Sequence, residues 1–399
     1  MTGPARAADG VGILFVIDGL GTGGAERSLA ELLPYLEHAG IRATIACLRR
    51  RAEGVESEVL ASGADVRFLS PGPVASVRRL RRIVAEVSPD VIHTTILASN
   101  LVGRFASLGG TATVLTSLVN TPYAPVRKQD PHVRPLALSA VRLADMVTAR
   151  TMTDHFHAIT DAVKSWAVAD MGIHPGRITV VHRGRDPGRL GEAGPIRRRS
   201  VRQALGLTEE DEVIVTVGRQ EFQKGQRHLL DAVATLARRR PRLTLVLAGR
   251  RGASSPELDR LRVAPELAGR VRFLGHRNDV PDLLAASDVF AFPSLFEGLG
   301  GSVLEAMALG LPVVATDLPA VREVVEEGRN ALLVHAGSST ALAEAIDRLL
   351  DDRRMAVAFG RRSREIFLDR FTSERSANAM IGLYRRLATG HVREATGAR

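Results

Sequence analysis

Glu297 and Glu305 stand with seven residues between them in the stretch 293–316, P-S-L-F-E-G-L-G-G-S-V-L-E-A-M-A-L-G-L-P-V-V-A-T. Gly298, Gly300 and Gly301 lie between the two carboxylates, in a turn that leaves the apolar run Val289–Phe292 and enters a helical stretch. A glycine-rich turn into a helix N-terminus presents free backbone N–H groups to an anion. Carboxylates beside such a site are suited to gripping hydroxyls, so the combination points to a phosphorylated sugar. Ser302 and Glu305 also read as a capping box, which would hold the helix start without any ligand. Glu297 has no such structural account in the sequence, and the glycines beside it suit a backbone that must approach something closely.

A second group has the complementary charge. In V-G-R-Q-E-F-Q-K-G-Q, residues 217–226, Arg219 leaves the end of an apolar run and Lys224 stands beside Gly225 and the next helical stretch. Two cations at a helix N-terminus oppose the helix dipole, so a purely structural loop would carry the opposite charge. An anionic ligand reverses that cost, and Lys224 is one of only three lysines, with Lys128 and Lys164. The rival account is a solvated loop pair. A third loop, D-G-L-G-T-G-G-A-E at 18–26, directly follows the first apolar run. No acidic residue caps a second strand, so it is not read as a dinucleotide fingerprint. It is a tight turn or a point of phosphate contact, since ligands gather at strand C-termini in parallel sheets.

Short β-branched runs alternate with amphipathic stretches along the chain, the pattern of βαβ units and of an α/β fold with parallel sheets. Strands are expected at 12–17, 43–48, 66–69, 91–93, 112–118, 146–149 and 178–182 in the first half. The second half repeats the style at 213–217, 243–247, 271–274, 289–292, 313–315 and 331–334. Two doubly wound, Rossmann-like domains follow, 1–185 and 200–372. The aperiodic, Gly-, Pro- and Arg-rich segment 183–200 reads as the linker. Ala377, Met380, Ile381, Tyr384 and Leu387 recur at helical spacing beyond the last strand, so a helix at 373–387 is free to pack elsewhere. The tail from Gly390 reads as frayed.

A length of 399 residues suits two or three domains. Apolar content of 45% with 25% charged residues is that of a soluble globular chain. Aromatics at 4% are too few for base-stacking platforms, which weighs against nucleic acid despite the net charge of +10. The charge instead favours anionic ligands and acidic membrane surfaces. Cys47 is alone and sits in an apolar run, so it reads as a small buried residue in a reducing compartment. The opening M-T-G-P-A-R-A-A-D-G carries no long apolar region, and no run reaches the ~18 residues of a membrane span. A cytoplasmic protein is expected. The basic amphipathic stretch V-R-R-L-R-R-I-V-A-E-V at 77–87 is a solvated helix face or a peripheral contact with the inner face of a membrane.

Taken together, the two glutamates with A-M-A-L-G-L-P-V-V-A-T after them resemble the E-x7-E motif of retaining glycosyltransferases of family four. Arg219 and Lys224 match that family's basic pair, and G-G-A-E at 23–26 matches its N-terminal loop. The resemblance spans nearly the whole chain with these elements in the family's order. It implies a GT-B architecture, two Rossmann-like domains facing across a cleft, with a C-terminal helix at 373–390 crossing back to the first. It further implies a nucleoside diphosphate sugar donor, preferably a UDP-sugar and alternatively a GDP-sugar, held mainly by the second domain. In that picture Arg219 and Lys224 neutralise the diphosphate and Glu305 grips the ribose. Glu297 grips the transferred sugar, and backbone at Leu299, Gly300, Gly301 and Ser302 meets phosphate or sugar oxygens. His276 and Arg277 border the base, while Gly23 and Gly24 approach the diphosphate. No cofactor and no metal is implied, the nucleotide-sugar being a substrate.

On the acceptor side the resemblance points to Glu26 and to His93 in V-I-H-T-T. Asn120, in T-S-L-V-N-T-P-Y, stands about where many members place a histidine. The implied activity is hexosyl transfer with retention to a hydroxyl on a lipid-linked sugar, a polysaccharide or a small metabolite. A GT-B nucleotide-sugar epimerase would bind the same donor and is the alternative. A two-domain solute-binding protein would share paired α/β lobes but needs a leader segment.

Overall fold

The computed structural model describes residues 10–390, and the readings made on the opening residues 1–9 and on the tail 391–399 lie outside the described residues. The described chain divides into two compact units, one of residues 10–120, 136–184 and 373–390, the other of 121–135 and 185–372. Seven strands form the sheet of the first unit: β1 (Gly12–Ile17), β2 (Arg42–Cys47), β3 (Asp65–Phe68), β4 (Val91–Thr95), β5 (Thr113–Leu118), β6 (His155–Ala158) and β7 (Ile178–Val180). Their order is β3-β2-β1-β4-β5-β6-β7 and every pair is parallel. The second unit holds β8 (Glu212–Val217), β9 (Leu243–Ala248), β10 (Val271–Gly275), β11 (Val289–Phe292), β12 (Val313–Thr316) and β13 (Ala331–Val334). These run β10-β9-β8-β11-β12-β13, again all parallel.

The central strands read as continuous apolar runs because helices cover both faces of each sheet. β1 divides its side chains by parity. Ile13, Phe15 and Ile17 enter a core with Leu29, Leu33 and Leu36 of the helix Gly24–His38, while Leu14 and Val16 enter another with Leu80, Ile83 and Val102. Cys47 is fully buried, and desolvation, first of all, pushes its thiol up to about 12, in keeping with a packing role.

The C-terminal helix Ser373–Ala388 belongs to the first unit although it follows the last strand of the second. All five residues picked out by helical spacing, Ala377, Met380, Ile381, Tyr384 and Leu387, are buried in the first unit's core. Tyr35 Oη lies 3.0 Å from Ser373 Oγ and fastens the helix start.

Two expectations fail, each for a physical reason. The stretch 146–149 is no strand; it lies inside the helix Pro135–Met152, whose buried Asp145 and Thr148 receive the guanidinium of buried Arg104 at 2.7 and 3.0 Å. The strand is β6, H-F-H-A, whose two histidines hid its burial. The chain does pass from the first unit to the second inside the segment 183–200, between 184 and 185, but the segment is not aperiodic. It contains the helix Pro187–Leu190 and most of Pro195–Ala204. The position facing inward there is Arg202, 1% exposed, which donates to the carbonyls of Ala286, Thr208 and Asp211 and to Asp288. A buried arginine leaves no apolar period to read.

β6 tolerates its histidines because each is hydrogen-bonded, His157 through both ring nitrogens and His155 through Nε2 alone. Val181 O can only accept, so His157 Nε2, 2.9 Å away, carries the proton and Nδ1 accepts from Ser117 Oγ at 2.9 Å. Ser117 then accepts from His93 Nε2 at 2.7 Å, which leaves His93 Nδ1 to accept from Tyr384 Oη at 2.8 Å. Each tautomer is thus assigned by its partner, and the chain is satisfied with every member neutral. Burial is the main cause that holds these imidazoles neutral, with Arg183 adding to it. His93 sits well below its ordinary value and His157 at about 4. His155, bonded to Thr179 Oγ1 at 2.8 Å, also lies at about 4, through burial and then Arg386 and Arg177.

The sign of the resulting pH dependence follows. Below the unfolded value near 6.5 the unfolded chain binds protons that the folded chain refuses until about pH 4. Stability is therefore full above pH 6.5, falls as pH drops and levels near 4, by up to about 1.4 kcal/mol per pH unit per imidazole. Urea unfolding between pH 7.5 and 5, above the carboxylate range, should show a falling midpoint, with a shallower decline in His157→Asn. A midpoint flat across that window would contradict the neutral network.

Candidate functional site

In the second sheet the strand order reverses between β8 and β11. Parallel strands bring their C-terminal ends to one edge, and a crevice opens where the order reverses. Arg219 and Lys224 follow β8, and Glu297 with the glycine run follows β11. Lys224 closes the short 3-10 turn Phe222–Lys224, and its Nζ lies 2.6 Å from Glu297 Oε2. Its ammonium sits 5.5 Å from the centroid of the Phe292 ring, within cation–π range. Its methylenes run against Gly218, where a Cβ would come within 3.3 Å of Lys224 Cδ. Ser294 Oγ donates to the same Glu297 oxygen at 3.4 Å. Glu297 thus has a structural partner after all, one that lies too far away along the chain to be seen in its own loop.

Backbone laces the two loops together. Leu295 N–H donates to Gln223 O at 2.8 Å, and Gln223 Nε2 donates to Phe296 O at 3.0 Å. Gly225 has φ 58° and its missing Cβ would lie 2.1 Å from Pro293 O. Arg219 differs from Lys224: it is exposed, and its guanidinium has no ion-pair partner among the described residues.

The helix after β11 is Gly301–Ala308, with Gly300 at its N-cap in the left-handed region (φ 89°) and no side-chain cap. Ser302 lies inside the helix, so the expected capping box does not form. Glu305 Oε1 accepts instead from Arg185 Nε at 2.8 Å, the arginine side chain being 3% exposed. Leu299 is buried, which leaves its backbone as the part that can face a ligand. His276 and Arg277 follow β10, two strands from β8, and Arg277 is exposed and paired with Asp279 at 2.8 Å. The reversal point thus collects one exposed arginine, one paired lysine, two carboxylates and an uncapped helix N-terminus, a set suited to a phosphate beside hydroxyls.

The first sheet reverses between β1 and β4. Gly23 caps the helix Gly24–His38, and Glu26 folds back over it, its Oε2 2.4 Å from where a Gly23 Cβ would sit. An acid there complements the helix dipole, so Glu26 also has a local structural role. His93 lies on β4 within the neutral network and lines a recess of about 670 Å3, open mouth included, with Ser117, His157, Phe15, Ile17 and Met380. Glu26 does not line that recess, nor does Asn120, which is half-buried just past β5. Arg185 is the site residue that sequence reasoning missed. Its one signal was a cation in R-G-R-D-P soon after a strand.

Gly225→Ala should cost at least about 1–3 kcal/mol, since the position needs both a left-handed backbone and the space that Pro293 O fills. Thermal unfolding checks this; a variant as stable as the parent would mean that the two loops are not locked together.

Residues 22–189 match the model described as Glycosyltransferase Family 4, and 197–366 match Glycosyl transferases group 1. The chain is 30% identical over 321 residues to a D-inositol 3-phosphate glycosyltransferase of Corynebacterium jeikeium, 76% of this chain and 74% of that one. It is 29% identical over 352 residues to the 2-deoxystreptamine glucosyltransferase of Streptomyces kanamyceticus, 87% of each. With two other curated relatives the match spans about half of their length, 51% and 53%. Among solved structures, Anabaena Alr3699/HepE in complex with UDP-glucose is similar at a TM-score of 0.82 and 25% identity, over 93% of this chain and 98% of that one. Element order, sheet topology and these likenesses agree: the chain belongs to glycosyltransferase family four and has the GT-B fold.

Proposed function

We propose that this glycosyltransferase takes its sugar from a nucleoside diphosphate sugar, a UDP-sugar in preference to a GDP-sugar. It passes the sugar to a hydroxyl acceptor with retention at the anomeric carbon. The observation that carries the donor reading is the Lys224–Glu297 pair at 2.6 Å beside the uncapped helix Gly301–Ala308. Binding of UDP-glucose by the similar Anabaena protein supports it. Arg219 and Lys224 stabilise the charge that develops on the departing diphosphate, an electrostatic role that needs no proton transfer. Glu297, already oriented by Lys224, accepts from hydroxyls of the transferred sugar, and Glu305 from the ribose. Backbone N–H groups at Gly300, Gly301 and Ser302 meet phosphate oxygens. No side chain is assigned as nucleophile or general base; the donor phosphate takes the acceptor proton.

The acceptor lies with the first unit, and His93 serves it through the recess rather than as a charged catalyst, being buried and held neutral. No helix among the described residues is long and apolar enough to cross a membrane. Exposed Arg78, Arg81 and Arg82 on the helix Pro73–Val87 suit peripheral contact with an anionic surface, which fits a lipid-linked acceptor.

Lys224→Ala and Glu297→Ala should each lower kcat/KM by roughly 100-fold or more. Because the two side chains touch, the double variant should fall little further than either alone. Near-native turnover in both single variants would overturn the donor site.

A panel of nucleotide-sugars read by thermal shift should single out one base and sugar. A donor at 100 times its Kd adds about 2.7 kcal/mol to stability. Donor turnover without any acceptor would favour an epimerase, and stabilisation by no nucleotide-sugar would defeat both readings.

A further inference from the structure

Arg185 sits where a charge is expensive. Its residue is 2% exposed, and its Nη2 lies 2.2 Å from where a Cβ of Gly301 would stand, so the guanidinium rests against the first turn of the helix Gly301–Ala308. A cation at that end of a helix opposes the dipole. A buried ion pair is also weak evidence for stability, since apolar residues of similar volume often serve as well or better. Packing alone therefore does not account for arginine here. Its backbone is fastened on its own terms: the N–H donates to Phe371 O at 2.9 Å, the residue bridges Thr372, and the neighbouring Asp186 caps the next turn through Gly188 N–H at 2.8 Å.

What the side chain does hold is Glu305. Nε engages Oε1 at 2.8 Å and leaves Oε2 with no protein partner among the described residues, on a carboxylate 16% exposed. We propose that Arg185 is the positioning residue of the donor site, fixing the Glu305 carboxylate in the one rotamer whose second oxygen meets the ribose diol. The inference rests on the assignment of Glu305 to the ribose. It explains Gly301 as well: any side chain there would displace the guanidinium and release the carboxylate.

The test compares binding of UDP with that of 2′,3′-dideoxy-UDP by calorimetry, with the corresponding GDP pair run alongside, on the parent chain, Arg185→Met, Arg185→Lys and Glu305→Gln. The parent should prefer the ribonucleotide by roughly tenfold or more, as for hydrogen bonds to a charged group. In Arg185→Met and Glu305→Gln the preference should fall towards one. Arg185→Lys, which keeps charge but loses the planar fork, should be intermediate. With donor substrate, Arg185→Met should raise KM more than it lowers kcat. A structural role would lower the melting temperature and leave the preference untouched. Undiminished preference in Arg185→Met overturns the proposal; should that variant not fold, undiminished preference in Arg185→Lys does so. A parent that binds both nucleotides of a pair equally overturns the ribose role of Glu305 and this inference with it. Failure to bind either diphosphate overturns the donor reading itself.

Discussion

Every strand pair in both sheets is parallel, and the placement of all the chemistry follows from that. A parallel pair cannot be closed by a hairpin; each strand must be followed by a crossover, so the loops that begin those crossovers collect at one edge of the sheet. Where successive crossovers leave in opposite directions, between β1 and β4 and between β8 and β11, the loops part. Lys224 and Glu297 are 73 residues apart and meet because β8 and β11 are neighbours. In neither loop does the charged residue find its ion-pair partner locally. The parting of the crossovers leaves room for a ligand, and the bonds from Leu295 N–H to Gln223 O and from Gln223 Nε2 to Phe296 O tie the two loops together.

The chain assigns its cations different work. Arginine supplies the buried framework: Arg104, Arg185 and Arg202 are each no more than 2% exposed, and each satisfies several acceptors or a carboxylate through a planar fork. Lysine, present three times, offers a compact ammonium with three donors, and Lys224 is placed where a phosphate can share it with Glu297. Arg219, exposed beside it, has reach where Lys224 has position. In the proposed donor site, one held and one exposed cation would keep part of the field preorganised while the rest adjusts to the ligand.

The first unit handles polarity by neutrality instead. Tyr384, His93, Ser117 and His157 form one directed chain that ends on Val181 O, linking three strands to the C-terminal helix. Half-satisfied, such a network would cost more than an apolar core; complete, it gives the helix one register on the sheet. That helix is the last among the described residues, and the first unit's core includes its Met380, Ile381, Leu383, Tyr384 and Leu387.

Much of this was legible in the residues. Twelve of the thirteen strands lie at or within two residues of where β-branched runs placed them, because the central strands are buried on both faces and read as short apolar runs. The glycine turn, the basic pair and the C-terminal helix were readable for equally local reasons: backbone freedom, charge against a dipole, and helical spacing. What the sequence could not show were the pairings that break its own rules. β6 hid behind histidines, the helices entering 183–200 read as aperiodic because the inward position is arginine, and Ser302 was read as a cap although the helix begins one residue earlier. Glu297 looked unpartnered and Arg185 looked like linker, since ion pairs across 73 and 120 residues leave no local trace. Sequence alone determined the alternation of elements and the kinds of chemistry the loops could hold, because those depend on neighbours along the chain. Only the tertiary structure decided which charge faces which, because a parallel sheet brings together residues that its crossovers keep far apart in sequence.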